Sequence, residues 1–431
     1  GPFVEAAREA LVGGPAHFAV VCIDVDRFGQ VNEAHGQAAG DRLLRRLADA
    51  FRGALRSADA VGRLGADRFA ASVALADPGE AAPLLARLEA RLAAALQGPE
   101  ISATVSLGAC LATRPGAGLE ETLSRAEIAL AAAKADGGGR ARLFQPEMER
   151  RLHRRRWVET AIRDGRRHGR FGLAFQPLVG AEGGESRGFE ALMRLVDGEG
   201  APIPPAEFIP VAEETGLIGE LGAWAIRRAT ATAAAWPEPC TVSVNLSVQQ
   251  FRDGRLLETV RAALAEAGLA PERLELEITE SLLISDPDGV RDQLRAIRAL
   301  GVSIAMDDFG TGYSSLAYLW RFGFDGLKLD RSFVQALSLD EARARDVIGA
   351  IVALGHRLGM RVTAEGIETE AEARALAGLG CDTLQGFRFG RPLAEAELAE
   401  LMRWTADARA DRKSTRLNSS HTHLSRMPSS A

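Results

Sequence analysis

The sequence predicts an α/β protein whose second half closes into a parallel α/β barrel. Three observations carry this. Between Phe189 and Gln385, short apolar runs end in residues that hold a metal or move a proton: Phe-Glu190, Thr-Val-Ser-Val-Asn245, Leu-Glu-Leu-Glu277, Val-Ser-Ile-Ala-Met-Asp307-Asp308, Leu-Lys328-Leu-Asp330 and Arg-Val-Thr-Ala-Glu365. The gaps between these ends are 20 to 55 residues, and most hold an Ala/Leu/Arg/Glu-rich stretch of helical period. Strand, helix, strand at that spacing is the signature of a parallel sheet closed on itself. Such a barrel gathers its strand ends on one face, where active sites form. Carboxylates crowded on one rim repel each other unless cations neutralise them, so the pattern predicts a metal-dependent enzyme.

At 431 residues the chain is long enough for two or three domains, and its 46% hydrophobic and 26% charged residues are ordinary for a globular protein. A net charge of -6 argues against a duplex nucleic-acid partner, which calls for a basic excess. Cys22, Cys110, Cys240 and Cys381 form no CxxC pair and read as buried, reduced thiols of a cytoplasmic protein. No stretch is long and apolar enough to predict a membrane span. The chain starts Gly-Pro-Phe-Val-Glu without Met, which reads as cut from something longer; an upstream segment could carry a sensor or an inner-membrane anchor.

Four regions follow in order. Residues 1–145 alternate helical stretches with strand-like runs such as Phe18–Ile23 and Ile101–Cys110. Residues 146–169, with Arg-Arg-Leu-His-Arg-Arg-Arg-Trp, predict a solvated basic linker helix. Residues 170–405 form the carboxylate-rimmed unit. Residues 406–431 lack apolar periodicity and read as a disordered, non-native tail.

Within the barrel, Glu190, Asn245, Glu277 and Asp307 offer hard oxygen ligands suited to Mg²⁺ or Mn²⁺, and the set has no His or Cys to suggest zinc. Asp308 follows directly and can serve a second cation, a two-metal arrangement suited to attack on phosphorus. Period-2 geometry puts Lys328 and Asp330 on one strand face. Lys328 would polarise a water or phosphate oxygen, and Glu365 is the candidate base. Any single strand-end carboxylate is more simply a helix cap or a rim salt bridge; seven polar strand ends in order are not so easily explained. The segment Asp308-Phe-Gly-Thr-Gly-Tyr-Ser-Ser reads as a mobile loop, or as a turn with Ser314 or Ser315 capping a helix.

These motifs, Glu190-Ala-Leu-Met-Arg194, Asn245-Leu-Ser, Glu277-Ile-Thr-Glu280, Asp307-Asp308-Phe-Gly-Thr-Gly-Tyr, Lys328-Leu-Asp330, Ala-Glu365-Gly-Ile-Glu368 and Gln385-Gly-Phe, resemble the EAL-domain family of cyclic di-GMP phosphodiesterases. The resemblance implies a modified TIM (β/α)8 barrel hydrolysing cyclic di-GMP to linear pGpG with two Mg²⁺ or Mn²⁺ ions. It implies metal ligation by Glu190, Asn245, Glu277, Asp307 and Asp308, with Lys328 and Glu365 aligning and deprotonating water. Arg194 would hold a phosphate, Gln385 a guanine, and Glu280 would anchor the Asp308–Ser315 loop. A homodimer through this domain is expected from the same resemblance.

The first half is similar to the GGDEF family, whose active members make cyclic di-GMP from two GTP. Phe18-Ala-Val-Val-Cys-Ile-Asp24-Val-Asp26, Asn32, Gly40-Asp41 and Arg63-Leu-Gly65-Ala66-Asp67-Arg68-Phe69 carry the likeness. It implies a cyclase-like α/β domain with an antiparallel-containing central sheet. Asp24 and Asp67 would hold metal, Asn32 and Asp41 would read guanine, and Lys134 would meet phosphate. The hairpin departs from the family pattern: Ala66 replaces glycine, Arg68 reverses a charge, and Gly137-Gly138-Gly139 replaces Gly-Arg-Asn. The expected outcome is a domain that no longer cyclises but binds GTP as a regulatory ligand. Arg56-Ser-Ala-Asp59 matches the RxxD inhibitory site, or is an exposed ion pair.

Two other readings compete. A nucleotide receptor without chemistry has no need for Glu190, Glu365 and the Asp307–Asp308 pair together. A bifunctional enzyme that also cyclises is opposed by Ala66 and Arg68.

Overall fold

The computed structural model describes residues 2–11, 16–98, 101–113, 118–237, 239–279, 287–310, 319 and 321–399. Glu280, the segment 311–318 with Ser314 and Ser315, and the tail 406–431 lie outside the described residues. The chain divides into two compact units, 1–157 and 158–431.

The first unit carries strands β1 (His17–Val25), β2 (Ala60–Arg63), β3 (Arg68–Leu75), β4 (Val105–Thr113) and β5 (Ala141–Leu143), in the sheet order β2-β3-β1-β4-β5. β1 runs antiparallel to β3 and β4, and β5 parallel to β4. Its core is built in two layers because β1 is buried on both faces. Val21, Ile23, Leu47, Leu88 and Leu107 pack on one side, and Phe18, Val20, Cys22 and Leu130 on the other. Fully buried strands of this kind read as continuous apolar runs, as Phe-Ala-Val-Val-Cys-Ile does.

In the second unit β6 (Phe171–Gly180) and β7 (Ser186–Val196) are followed by a short β8 (Pro202–Ile203), then β9 (Thr241–Leu246), β10 (Leu274–Thr279), β11 (Ser303–Phe309), β12 (Gly326–Leu329), β13 (Arg361–Ala364), β14 (Thr383–Gln385) and β15 (Leu393–Ala394). The parallel run β7-β9-β10-β11-β12-β13-β14 is closed by β6, which pairs antiparallel with both β7 and β14. This is a TIM-like barrel with one reversed strand, as the motif resemblance implied.

Strand alternation decides what lies inside. Val242, Val244, Leu274, Leu276, Ile278, Ile304, Leu327, Leu329 and Val362 face the helices and form the main core. The residues between them turn to the barrel axis, and they are polar or small: Ser243, Asn245, Glu275, Glu277, Ala305, Asp307, Gly326, Lys328, Thr363 and Glu365. A barrel axis is usually filled by branched apolar side chains. Here the lower layer is held by Ser243 Oγ donating to Glu275 (3.1 Å) and Arg361 Nη2 donating to the same carboxylate (2.9 Å). A cavity of about 930 Å³ opens beneath it, lined by Glu275, Ala305, Gly326, Arg361 and Thr363 and reaching Lys328. It lies at the end of the barrel opposite the strand-end carboxylates, and Arg361 and Glu275 on its lining pair with each other.

The basic helix expected over 146–169 forms, as Pro146–Arg167, but one face of its second half is buried. Val158 and Ile162 are buried among Leu195, Ile203, Phe208, Val211, Ile218 and Leu221. Apolar residues at 158 and 162 share a helix face, and that spacing decides which part of the helix is buried. Among the described residues no helix is long and apolar enough to cross a membrane. All four cysteines are buried and free. Burial pushes the Cys22 and Cys381 thiols up to about 12, which favours the thiol over the thiolate.

Candidate active site

Four carboxylates surround one ammonium at the strand ends. Lys328, 3% exposed, lies 2.7 Å from Glu277 Oε2, 2.6 Å from Glu365 Oε1, 3.6 Å from Asp307 Oδ1 and 3.7 Å from Glu190 Oε2. β7, β10, β11 and β12 each deliver one member and the residue after β13 delivers the fifth, so the cluster exists only because the barrel closes. Glu190 is held from two further sides: Asn245 Nδ2 donates to its Oε1 (2.7 Å) and Gln385 Nε2 to its Oε2 (2.6 Å).

The electrostatics follow from burial and count. Burial alone would raise Glu190, but Lys328, Gln385 and Asn245 hold its carboxyl below the ordinary range. Burial pushes Glu277 well above that range, with Glu190 and Asp307 adding to the effect. It carries Glu365 from 4.5 up to about 8. Burial opposes the charge of Lys328, yet the facing carboxylates raise its pKa well above the ordinary value. One cation does not balance four acids.

Asp308 adds a fifth acid through a local irregularity. Neighbours on a regular strand point to opposite faces. The β11–β12 register shifts between Met306 and Phe309, and Asp308 takes φ 55°. A left-handed non-glycine residue of this kind stores about 1–3 kcal/mol and is found at functional sites. Its backbone N–H donates to Asp307 Oδ1 (2.9 Å), and burial, then Asp307, raises its pKa.

The set fits a hard divalent cation. Its donors are oxygens, its charge is in excess of one lysine, and Glu277 Oε1 is buried without a hydrogen-bond partner. As the side chains stand they close around Lys328, and among the described residues no three acids are gathered as a ready metal cage.

Gln385, expected at a guanine, is 4% exposed, and its amide braces Glu190. Asp330 does not join the cluster: it caps the helix Arg331–Leu339, accepting from Ser332 N (3.0 Å). Lys328, expected to polarise a water or phosphate oxygen, has its ammonium among the carboxylates of the cluster. Arg194 is half-buried on β7, four residues beyond Glu190, with Nη1 on the Met193 carbonyl (2.9 Å). Gln176 was missed; it accepts from Gln385 Nε2 (3.3 Å), and its only sequence signal is its place between Phe175 and Pro177.

In the first unit Asp24 is 6% exposed and bonded to Lys134 Nζ (2.6 Å), which brings the lysine expected at phosphate beside the carboxylate expected at metal. Asp26 accepts from Thr104 Oγ1 (2.7 Å), Ser106 Oγ (2.6 Å) and Gly139 N (2.8 Å). Gly138, at φ 74°, leaves room for it: a Cβ there would lie 2.9 Å from Asp26 Oδ2. The glycine triplet therefore builds a cradle for Asp26. Asn32 Oδ1 is buried against Gly40, whose added Cβ would lie 1.9 Å away, and Asp41 is exposed next to it. Neither Gly65 nor Ala66 at the hairpin tip has a positive φ, so the backbone at position 66 does not call for glycine. Asp67 sits near enough to Asp24 to raise its pKa, and Arg68 turns to Glu127 (3.4 Å). At the RxxD segment, Asp59 is buried and accepts from Arg56 N (2.8 Å), which replaces the exposed ion pair with a turn cap; both residues line a cleft of about 360 Å³.

Comparison with known proteins settles the family. The EAL domain profile matches residues 157–392 and the diguanylate cyclase GGDEF domain profile residues 4–140. The chain belongs to the EAL domain family. Its EAL domain follows a GGDEF domain, in the order that the motifs imply. An uncharacterized signaling protein of Caulobacter vibrioides is 43% identical over 93% of this chain and 49% of its own length. The bifunctional diguanylate cyclase/cyclic di-GMP phosphodiesterase MucR of Pseudomonas aeruginosa is 36% identical over 92% of this chain and 58% of its own. The chain thus spans about half the length of the curated relatives it matches. A solved structure of the PaMucR phosphodiesterase in complex with c-di-GMP is 40% identical, with a TM-score of 0.54 over 56% of this chain and 99% of that one.

A pH dependence follows from the raised carboxylates. A folded-state pKa above the unfolded one means that the folded protein binds the extra proton. Glu365 then contributes stability that is present below pH 4.5 and lost as pH rises through about 8, and the raised Glu277 and Asp308 act in the same direction. Metal-free protein is expected to melt at falling temperature from pH 5 to pH 8, with added Mn²⁺ flattening the trend. A scanning-fluorimetry series with and without EDTA checks this; a melting temperature that rises over that window contradicts it.

Proposed function

We propose that the EAL unit hydrolyses one phosphodiester of cyclic di-GMP to give linear pGpG. The observation that carries this is the buried set of Glu190, Glu277, Asp307 and Glu365 around Lys328. Glu190, Asn245, Glu277 and Asp307 would hold Mg²⁺ or Mn²⁺, with Asp308 serving a second ion. Bound there, such ions lower the pKa of water and draw charge from phosphate. The protein's own part is separate. Glu365 takes the proton from the attacking water, Lys328 holds Glu365 and Glu277 in place, and Arg194 receives a phosphate of the substrate. Names of relatives such as the MucR phosphodiesterase support the substrate class.

The GGDEF unit is proposed to bind GTP without cyclising it. The Lys134–Asp24 bond and the pairing of Arg68 with Glu127 support the reading of a silent domain. Binding that differs between active and resting states is enough for regulation. A homodimer and a cytoplasmic site of action belong to the same reading.

Purified protein incubated with cyclic di-GMP and Mg²⁺ or Mn²⁺, with and without GTP, tests it by chromatography of the products. The expected product is pGpG, abolished by Glu190→Ala, with GTP alone yielding no cyclic di-GMP. Tight binding without cleavage under both metals would instead make the chain a receptor.

A further inference from the structure

The stretch Phe208-Ile-Pro-Val-Ala-Glu-Glu-Thr-Gly-Leu-Ile holds one residue that packing does not explain. Phe208, Val211 and Ala212, on the helix Pro205–Glu214, are core side chains. Glu213 stands in the last turn of that helix, where the backbone carbonyls present partial negative charge and a carboxylate is disfavoured. Something else must hold it there.

Glu213 Oε1 accepts the hydroxyl proton of Ser247 at 2.7 Å. Ser247 is buried and caps the helix Val248–Arg252: its oxygen accepts from Gln249 N (3.4 Å), and its own N–H donates to Gln250 Oε1 (2.9 Å). A serine has one proton to give, so handing it to Glu213 leaves the lone pairs facing the helix N–H groups. Gln250 is buried against Gly222, whose added Cβ would lie 2.3 Å from Gln250 Nε2. Ser247 is therefore fixed from several sides, two residues beyond Asn245 at the end of β9. Asn245 itself is exposed, and its Nδ2 is on Glu190. Its oxygen is presented only as accurately as the strand end is held.

We propose that Glu213 is a positioning residue for Asn245, acting through Ser247; the inference rests on reading Asn245 as a metal ligand. Partners one step removed from a ligand change metal affinity or activity by about 10–100-fold. Glu213→Ala is expected to raise the Mn²⁺ concentration for half-maximal thermal stabilisation, without substrate, by about tenfold, and to lower kcat by about tenfold with KM altered less than about threefold. Glu213→Gln keeps an acceptor for the Ser247 hydroxyl and is expected to restore both to within about threefold of wild type. If Glu213→Ala matches wild type in Mn²⁺ midpoint and kcat, the proposal is overturned. So it is if Glu213→Gln is as impaired as Glu213→Ala, or if Glu213→Ala only lowers the melting temperature while the Mn²⁺ midpoint stays put. A wild type that neither gains stability from Mn²⁺ nor cleaves cyclic di-GMP overturns the metal reading and this inference with it, so the two failures are told apart by the control.

Discussion

Replacing Glu365 by glutamine is expected to lower kcat for cyclic di-GMP hydrolysis by about 10²–10⁴-fold, the usual contribution of a general base, with substrate affinity changed less than about threefold. The change is nearly isosteric. It leaves the Lys328–Glu277 bond of 2.7 Å in place, so the barrel end keeps its main internal contact. What it removes is a group that can accept a proton. Burial carries Glu365 up to about 8, which places it close to working pH, where a base is both available and strong enough. Cations bound nearby would lower that value, so the rising limb of the pH–rate profile should move to lower pH as Mn²⁺ approaches saturation. Product chromatography gives kcat, and calorimetric titration of the variant with cyclic di-GMP gives affinity. If Glu365→Gln retains more than about a tenth of wild-type kcat, the base lies elsewhere on the rim.

The barrel and its rim were legible because both arise from period-2 alternation. In Leu274-Glu-Leu-Glu277 and Leu327-Lys-Leu-Asp330 the apolar residues mark the outer core and the polar ones the axis. That logic places Glu277 and Lys328 correctly and fails at Asp330, because the strand ends at Leu329 and the next residue becomes a helix cap. It also fails to explain how Asp307 and its neighbour Asp308 both serve the same region; the positive φ at Asp308 does, and no pattern in the sequence announces it. Gln385 shows a different limit. Its position on β14 is readable, but the partner of its amide is set by barrel closure between β7 and β14 through β6, a contact between residues 195 positions apart. In the first unit the three glycines after Asp136 were read as a loss. Their left-handed conformations and the 2.8 Å bond from Gly139 to Asp26 show what they build instead. A sequence reveals which groups are missing from a motif more readily than what the replacement does.

Lys328→Met should produce a large loss of stability near pH 8. Methionine nearly matches the length of the side chain but brings no charge, so Glu277, Glu365, Asp307 and Glu190 would face one another with no cation between them. Removing one partner of a buried ion pair costs about 3–5 kcal/mol, because the remaining charge is left desolvated. The cluster has one way to relieve this: Glu277 and Glu365, already raised by burial, can take up protons. The loss is therefore expected to be small near pH 5 and large near pH 8, since the unfolded chain releases those protons while the folded variant must keep them. Mn²⁺ offers a second way, by supplying the missing positive charge to the same oxygens. Urea unfolding of metal-free wild type and variant at pH 5 and pH 8, repeated with Mn²⁺, separates these contributions. A deficit that is equal at both pH values would mean that Lys328 matters for packing rather than for charge, and the view of this rim as an unbalanced set of acids would fail. A deficit that grows with pH and shrinks with Mn²⁺ would show that one lysine and a divalent ion answer the same electrostatic need, which is why both belong to a site built from so many carboxylates.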